Sequence, residues 1–164
     1  MDTLHPTKKL RIGWFTFSCC EDSTVVMSEV MNDHWQEWQK LLNIRHARVL
    51  QSKNILDQMD VAFVEGALAS EDHIKKLKEI RKLATKLVAV GACACIGMPS
   101  GQRNQFPDHT KEEIEFILAR FQHLPKVMKL EDAVIVDAKL PGCPMDPKQF
   151  EKLIGEMLKE FRII

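Results

Sequence analysis

Blocks of apolar residues along the chain fit strands and helices in turn. Leu10 to Phe17 is a continuous apolar and aromatic run, which is typical of a buried strand. It is followed by apolar residues at spacings of three and four, the pattern of an amphipathic helix: Met27, Val30, Met31, Trp35, Trp38, Leu41 and Leu42. The pattern predicts a strand and then one long helix, with Cys19 and Cys20 at their junction.

Four further strands are predicted from short apolar runs. They are Ile44 to Leu50, Val61 to Val64, Leu87 to Val90 and Ala133 to Val136. Short runs of this kind are typical of parallel strands that are covered on both faces. Each is separated from the next by enough chain for a helix or a long loop.

Three more helices are predicted from capping signals and apolar stripes. Ser70 is a candidate N-cap, Thr110 and Glu113 have the spacing of a capping box, and Asp146 with Pro147 predicts the start of the last helix. The stripes expected to be buried are Ile74, Leu77, Ile80 and Leu83; Ile114, Ile117, Leu118 and Phe121; and Phe150, Leu153, Ile154, Met157 and Phe161.

The alternation of strand and helix predicts an α/β fold. Its natural form is a doubly wound parallel sheet of about five strands, with helices on both faces and a flavodoxin-like strand order. A chain of 164 residues is long enough for one core and short for two, so a single domain over residues 1–164 is expected.

All five cysteines follow the predicted carboxyl ends of strands, where a parallel sheet collects its ligands. They are expected in loops, at Cys19, Cys20, Cys93, Cys95 and Cys143. Their number is odd and no secretory signal precedes them, so a disulfide framework is not expected. The remaining interpretations are core thiols, a reactive cysteine or metal ligands.

Glycine and proline close to two of these cysteines favour a metal centre. Gly91 precedes Cys93 by two residues, and Pro141-Gly142-Cys143-Pro144 surrounds Cys143. Tight loops of this kind let backbone N–H groups approach the sulfurs of an iron-sulfur cluster. Four thiolates also suit a structural zinc ion, although adjacent cysteines fit zinc knuckles poorly. A cluster, zinc and no metal all remain open from this chemistry.

Four motifs in order resemble nickel-iron hydrogenase small subunits and the 20 kDa subunit of complex I. The resemblance spans about residues 10 to 155 and rests on Cys19-Cys20-Glu21, Val64-Glu65-Gly66, Val90-Gly91-Ala92-Cys93-Ala94 with Ile96-Gly97, and Pro141-Gly142-Cys143-Pro144. It implies a flavodoxin-like fold without flavin. It also implies one [4Fe-4S] cluster bound by Cys19, Cys20, Cys93 and Cys143.

The resemblance also assigns roles near the cluster. Glu21, Glu65 and Cys95 are candidate neighbours of the cluster rather than its ligands. Adjacent cysteines resemble the complex I branch, whereas Phe63 to Gly66 and Pro99 to Asn104 resemble cytosolic hydrogenases. No residue of this chain is expected to be catalytic, because the catalytic metal of such an assembly belongs to the large subunit.

The resemblance implies an oxidoreductase subunit. The expected role is to carry electrons between the catalytic site of a [NiFe] hydrogenase large subunit and a ferredoxin-like or diaphorase subunit. Two alternatives stay open. One is a complex I-like or membrane-hydrogenase module that passes electrons toward quinone or ion pumping. The other is a non-redox flavodoxin-like binding domain stabilised by zinc.

Charge and hydropathy argue against nucleic acid as a partner and against a membrane span. Lys plus Arg and Asp plus Glu are 23 each, so there is no basic excess for nucleic acid. No apolar run approaches the roughly 18 residues of a membrane span, and Met1 to Leu10 is polar, so a cytoplasmic protein without a direct membrane span is expected. The six histidines share no ligand spacing, and no G-x-G-x-x-G pattern occurs.

Overall fold

The computed structural model describes residues 8–164, so the first seven residues of the polar leader, with His5, lie outside the described part. The strands are β1 (Leu10–Thr16), β2 (Leu42–Ala47), β3 (Met59–Glu65), β4 (Leu68–Ser70), β5 (Ala84–Val90), β6 (His123–Met128) and β7 (Ala138–Leu140). Five of them form a parallel sheet in the order β2-β1-β3-β5-β7, which confirms the flavodoxin-like prediction.

Helices flank this sheet on both faces. The helices within the described residues are α1 (Asp22–Asp33), α2 (Trp35–Leu41), α3 (Glu71–Leu83), α4 (Gly91–Ile96), α5 (Asp108–Arg120) and α6 (Pro147–Glu160). Two 3-10 turns, Gln102–Gln105 and Leu130–Asp132, complete the described elements. The predicted caps of α3 and α6 are confirmed, since Ser70 accepts from the His73 N–H and Asp146 from the Gln149 N–H.

Aromatic rings fill the core between the sheet and helices α1, α2 and α6. Trp14 of β1 stacks on Phe63 of β3 with ring centroids 5.7 Å apart, and Phe150 of α6 meets both rings edge-on. The opposite face is packed by aliphatic side chains, among them Leu77 and Ile80 of α3. The two cores hold the sheet rigid, so the carboxyl ends of its strands are fixed relative to one another.

The long helix predicted after β1 is in fact two helices. His34 separates α1 from α2, and its carbonyl accepts the N–H groups of Glu37 and Trp38 as a new helix begins. The turn leaves Trp35 on the surface with 48% of its area exposed, so its predicted place in the buried stripe is wrong. Strand β2 also begins earlier than predicted, at Leu42, directly after α2 ends at Leu41.

Helix α5 differs most from the sequence pattern. It begins at Asp108 after Pro107, so Thr110 and Glu113 lie inside the helix and form no capping box. None of its residues is buried, and 62% of Phe121 is exposed. The predicted buried stripe is wrong because α5 packs beside β6, which pairs with β4 in a small antiparallel sheet that the sequence pattern did not indicate.

The last strand of the sheet also lies further along the chain than predicted. Residues 133–136 form no strand. Their apolar run is explained by Val134 and Val136, which pack against the aliphatic core. Asp137 sets the register instead, since its N–H donates to the Leu87 carbonyl at 2.8 Å and its carboxylate accepts from the Leu87 N–H at 2.7 Å. Arg81 pairs with the same carboxylate.

Replacing Asp137 is expected to weaken the attachment of β7. In Asp137→Ala the buried Leu87 N–H loses its acceptor, and we expect the free energy of unfolding to fall by about 1–3 kcal/mol at neutral pH. Asp137→Asn, which keeps an acceptor oxygen, is the control and should lose less. Urea denaturation followed by circular dichroism measures both.

The effect of Asp137 should depend on pH. Burial raises the pKa of this carboxyl, but the Leu87 N–H and the Arg81 guanidinium outweigh burial, and the net pKa is lowered from 3.8. A carboxyl whose pKa is lower in the folded than in the unfolded protein stabilises the fold at pH values above its unfolded-state pKa. This contribution is lost as the pH falls through its folded-state pKa. The difference in free energy of unfolding between wild type and Asp137→Ala should therefore become smaller below about pH 4. Equal free energies of unfolding at neutral pH would contradict this role of Asp137.

Candidate metal centre

Four cysteines meet at the carboxyl edge of the sheet. Cys19 and Cys20 follow β1, Cys93 lies on α4 after β5, and Cys143 follows β7. All four line one small cavity together with Glu65, the last residue of β3. Because β1, β3, β5 and β7 are neighbours in a parallel sheet, their carboxyl ends deliver these side chains to the same place.

The four thiols lie at different depths. Cys93 is buried, Cys19 is partly buried, and Cys20 and Cys143 are exposed. The Sγ atoms of Cys20 and Cys143 and a carboxylate oxygen of Asp22 all lie within 4.8 Å of one another. The cavity is therefore closed toward the sheet and open on the side of Cys20 and Cys143.

The prediction that all five cysteines lie in loops is wrong for Cys93 and Cys95. Both lie on α4, a short helix that begins directly at Gly91. Gly91 has φ +79°, and a Cβ there would lie 3.1 Å from the Ser23 hydroxyl oxygen. The chain can turn straight from strand into helix because this position carries no side chain.

Gly142, which lies beside Gly91, meets a tighter constraint. Its φ is +122°, and a Cβ would lie 2.4 Å from the Pro144 carbonyl oxygen. Its own carbonyl accepts the Ala92 N–H at 2.7 Å. The Cys143 loop is thus joined directly to the start of α4, and both glycines bring the backbone close to the thiols.

The Glu65 carboxylate caps helix α1 from a neighbouring strand. One oxygen accepts the Ser23 N–H at 3.0 Å and the other accepts the Thr24 hydroxyl at 2.6 Å. Thr24 in turn accepts the Trp14 indole N–H at 2.8 Å. Glu21, at the N-cap position itself, makes no side-chain capping bond. Glu65 therefore replaces a local cap and fixes the helix that follows Cys19 and Cys20.

Burial alters the acidity of groups around the cavity. It raises the pKa of the Glu65 carboxyl, which is only 3% exposed, although the bonds from Thr24 and Ser23 oppose the rise. Burial and then the charge of Glu65 raise the pKa of the Cys19 thiol to about 12. A free Cys19 is therefore a neutral thiol at physiological pH, and a metal ion must displace its proton to bind there.

Two serines tie the cysteine segments together. The Ser23 hydroxyl oxygen accepts the Met145 N–H at 3.2 Å, which links α1 to the Cys143 loop. The Ser100 hydroxyl donates to the Ser18 carbonyl at 2.8 Å and lies 3.1 Å from Cys93 Sγ. With Glu65, these contacts join all three segments that carry the cavity thiols.

The donor set fits a four-thiolate centre. Among the residues that the structure describes, no histidine lines the cavity, and Asp22 and Glu65 are its two carboxylate residues. Sulfur ligands with closely approaching backbone suit a [4Fe-4S] cluster, and four thiolates suit zinc as well. The residues present are thus compatible with the cluster implied by the motifs.

Two candidate neighbours of the cluster do not reach the cavity. Cys95 packs into the aliphatic core on the other side of α4, with its thiol directed at the Ala89 carbonyl at 3.5 Å. Glu21 instead lines a separate cavity of 490 Å³ beside the aromatic end of β1, together with Arg48 and Lys76. Of these three residues, Glu65 alone lines the cavity that the thiols share.

Sequence reasoning missed several residues of the cavity and its support. They are Asp22, Ser23 and Ser100. Asp22 and Ser23 lie just after the Cys19-Cys20-Glu21 motif, so proximity in sequence was an available signal. Ser100 comes seven positions after Cys93 and reaches Ser18 across 82 residues, a contact that no local pattern indicates.

Comparison with known families places the chain. Residues 19–157 match the family described as NADH ubiquinone oxidoreductase, 20 Kd subunit, and the chain belongs to this family. It is 29% identical over 156 residues to coenzyme F420 hydrogenase subunit gamma of Methanosarcina barkeri, covering 87% of this chain and 51% of that relative. These findings confirm the resemblance that the cysteine motifs carried.

A second relative and a solved structure agree. NAD-reducing hydrogenase HoxS subunit delta of Cupriavidus necator is 27% identical over 122 residues, which are 65% of this chain and 58% of the relative. The chain thus spans about half the length of these two relatives. A chain in a crystal structure of an NAD+-reducing [NiFe]-hydrogenase, H2-reduced, has the same fold, with a TM-score of 0.81, 22% identity and 93% of each chain covered. None of the helices formed by residues 8–164 is long and apolar enough to cross a bilayer.

Removing the carboxylate of Glu65 should loosen the start of α1. Glu65→Ala leaves the buried Ser23 N–H and Thr24 hydroxyl without acceptors, and we expect the metal-free protein to lose about 2 kcal/mol or more of unfolding free energy. The Ser23 amide should also exchange its hydrogen faster. Glu65→Gln, whose amide oxygen still accepts from Ser23, is the control and should stay close to wild type. If the Ser23 amide hydrogen exchanged as slowly in the alanine variant as in wild type, the capping role of Glu65 would be contradicted.

Proposed function

We propose that this chain is the electron-transfer small subunit of a [NiFe] hydrogenase-type oxidoreductase. It would hold one [4Fe-4S] cluster on Cys19, Cys20, Cys93 and Cys143, in a single iron-sulfur domain over residues 1–164. The observation that carries the proposal is the meeting of four thiols in one cavity at the sheet edge. Membership of the 20 kDa subunit family and the hydrogenase subunits among its relatives support it.

The chain's own residues would bind the cluster and set its surroundings. When bound, the cluster supplies one-electron chemistry at low potential. The four cysteines would provide thiolates, while Gly91 and Gly142 let backbone groups approach the sulfurs. Buried Glu65 and the aromatic core would hold the cavity wall rigid, so little of the surroundings would reorganise when charge enters or leaves.

The exposure of the thiols suggests where electrons enter or leave. Cys93 lies against the sheet, whereas Cys20 and Cys143 are at the surface. Electron transfer is favoured where a partner's redox centre comes close, so this open side would face the large subunit. Within residues 8–164, one group of side chains is spaced to hold a metal ion, namely Cys20, Asp22 and Cys143. This group is part of the proposed cluster site. The catalytic metal would therefore lie on the partner.

The hydrogenase subunits among the relatives support a multi-subunit assembly, and the motif resemblance suggests its members. They are a [NiFe] hydrogenase-type large subunit and a further ferredoxin-like or diaphorase subunit, in the cytoplasm. A complex I-like role, with electrons passed toward quinone, is the second candidate, because the adjacent Cys19 and Cys20 and the family description both favour that branch. The chains that co-purify would separate the two: a diaphorase favours the first role and a proton-pumping membrane arm favours the second.

Metal analysis tests the cluster. Protein purified without oxygen, with its partner chains, should contain about four irons and four acid-labile sulfides per copy of this chain. Its reduced form should give the EPR signal of a cubane cluster. Zinc without iron would overturn the proposal and favour a structural metal domain.

Cys143 and Cys95 offer a matched pair of variants. Cys143→Ser removes a cavity thiol and should lose or convert the cluster, with less than about a tenth of wild-type electron transfer, while the large subunit keeps its metal. Cys95→Ser removes a thiol that lies outside the cavity and should keep full iron content. A Cys143→Ser protein with an intact four-iron cluster and full activity would defeat the ligand assignment.

A further inference from the structure

Ser100 lies between two of the segments that carry cavity thiols. Its hydroxyl oxygen is 3.1 Å from Cys93 Sγ and 2.8 Å from the carbonyl oxygen of Ser18, the residue before Cys19. Neither the motifs nor the family resemblance assigns a role to this residue. The geometry nevertheless restricts what its single proton can do.

With Cys93 as a free thiol, the hydrogen bonds form a chain. The thiol S–H donates to the Ser100 oxygen, and the Ser100 O–H donates to the Ser18 carbonyl. That carbonyl also accepts the Ala67 N–H at 2.9 Å. Every donor is therefore satisfied, and the Ser18 carbonyl has two donors.

The arrangement cannot persist once Cys93 binds a metal as a thiolate, because a thiolate has no proton to donate. The Ser100 hydroxyl proton then has two acceptors within reach, the thiolate and the Ser18 carbonyl. A hydrogen bond to a charged sulfur is stronger than one to a neutral carbonyl. The Ser18 carbonyl also keeps the Ala67 N–H, so it is not left unpaired when the hydroxyl turns away.

We propose that in the loaded protein the Ser100 hydroxyl donates a hydrogen bond to the Cys93 thiolate and raises the reduction potential of the cluster. The inference rests on the proposed function, since it concerns the cluster on these thiolates. Reduction adds negative charge to the cluster and its sulfurs, and a donor to sulfur stabilises the reduced form more than the oxidised form. Ser100 is a positioning residue and binds no iron itself.

Two substitutions at position 100 test the shift in potential. At the wild-type midpoint potential, Ser100→Ala should have a threefold to tenfold lower ratio of reduced to oxidised cluster, where tenfold corresponds to about 59 mV for one electron. Ser100→Thr keeps the hydroxyl and should stay near the wild-type value. The measurement is an EPR-monitored redox titration of the assembled protein. An unchanged midpoint in the alanine variant would overturn the inference.

Exchangeable protons provide a readout that a purely structural role would not change. After exchange in D2O, electron-nuclear double resonance of the reduced wild type should show one more exchangeable coupling than Ser100→Ala and the same number as Ser100→Thr. If the alanine variant holds no iron, the wild-type spectrum is the test. The inference is overturned if that spectrum shows no coupling from an exchangeable hydroxyl proton beside the cluster.

The two proposals fail in different ways. A wild type with a four-iron cluster but no effect of Ser100 on potential or couplings overturns the role of Ser100 and leaves the electron-transfer function standing. A wild type that contains no iron overturns the electron-transfer function, and the role of Ser100 with it.

Discussion

The buried carboxylate of Glu65 is the contact on which the candidate site depends. A charged group in a nonpolar interior is costly unless donors surround it, and here the donors are the first turn of α1. Glu65 therefore cannot be satisfied unless α1 starts where it does. Because α1 follows the cysteine pair directly, the same bonds place Cys19 and Cys20 beside the end of β3.

Much of the fold could be predicted because its signals are local. The cap formed by Asp146 and the stripe of α6 lie within one helix, and both are found as predicted for Phe150, Leu153, Ile154 and Met157. The meeting of Cys19, Cys20, Cys93 and Cys143 could be predicted for a different reason. Neighbouring parallel strands end at one edge of their sheet, so residues that follow several strands are brought together by topology alone.

The predictions that were wrong concern elements whose position depends on contacts between residues far apart in the sequence. Apolar spacing in α5 indicates a helix with a nonpolar face, but it does not tell which surface covers that face, and none within the described residues buries it. The register of β7 depends on Asp137 reaching Leu87, 50 residues away. Ser100 and Ser18 are linked across 82 residues. Such side-chain bonds leave no periodic signal in the sequence.

The unequal depth of the thiols connects the fold with the proposed function. On the sheet side, Cys93 belongs to a small nonpolar cluster with Ala67, Ala69 and Val127, and Cys19 packs against this cluster, so nonpolar atoms exclude water there. Cys20 and Cys143 are exposed, with no such cover from residues 8–164. A cluster held by all four thiolates would thus be shielded on one side only. Under the proposed function, a large subunit bound over Cys20 and Cys143 would close the other side, lower the local dielectric and bring its own metal within reach of the electron. This chain would then supply one side of the cluster's environment and the partner the other.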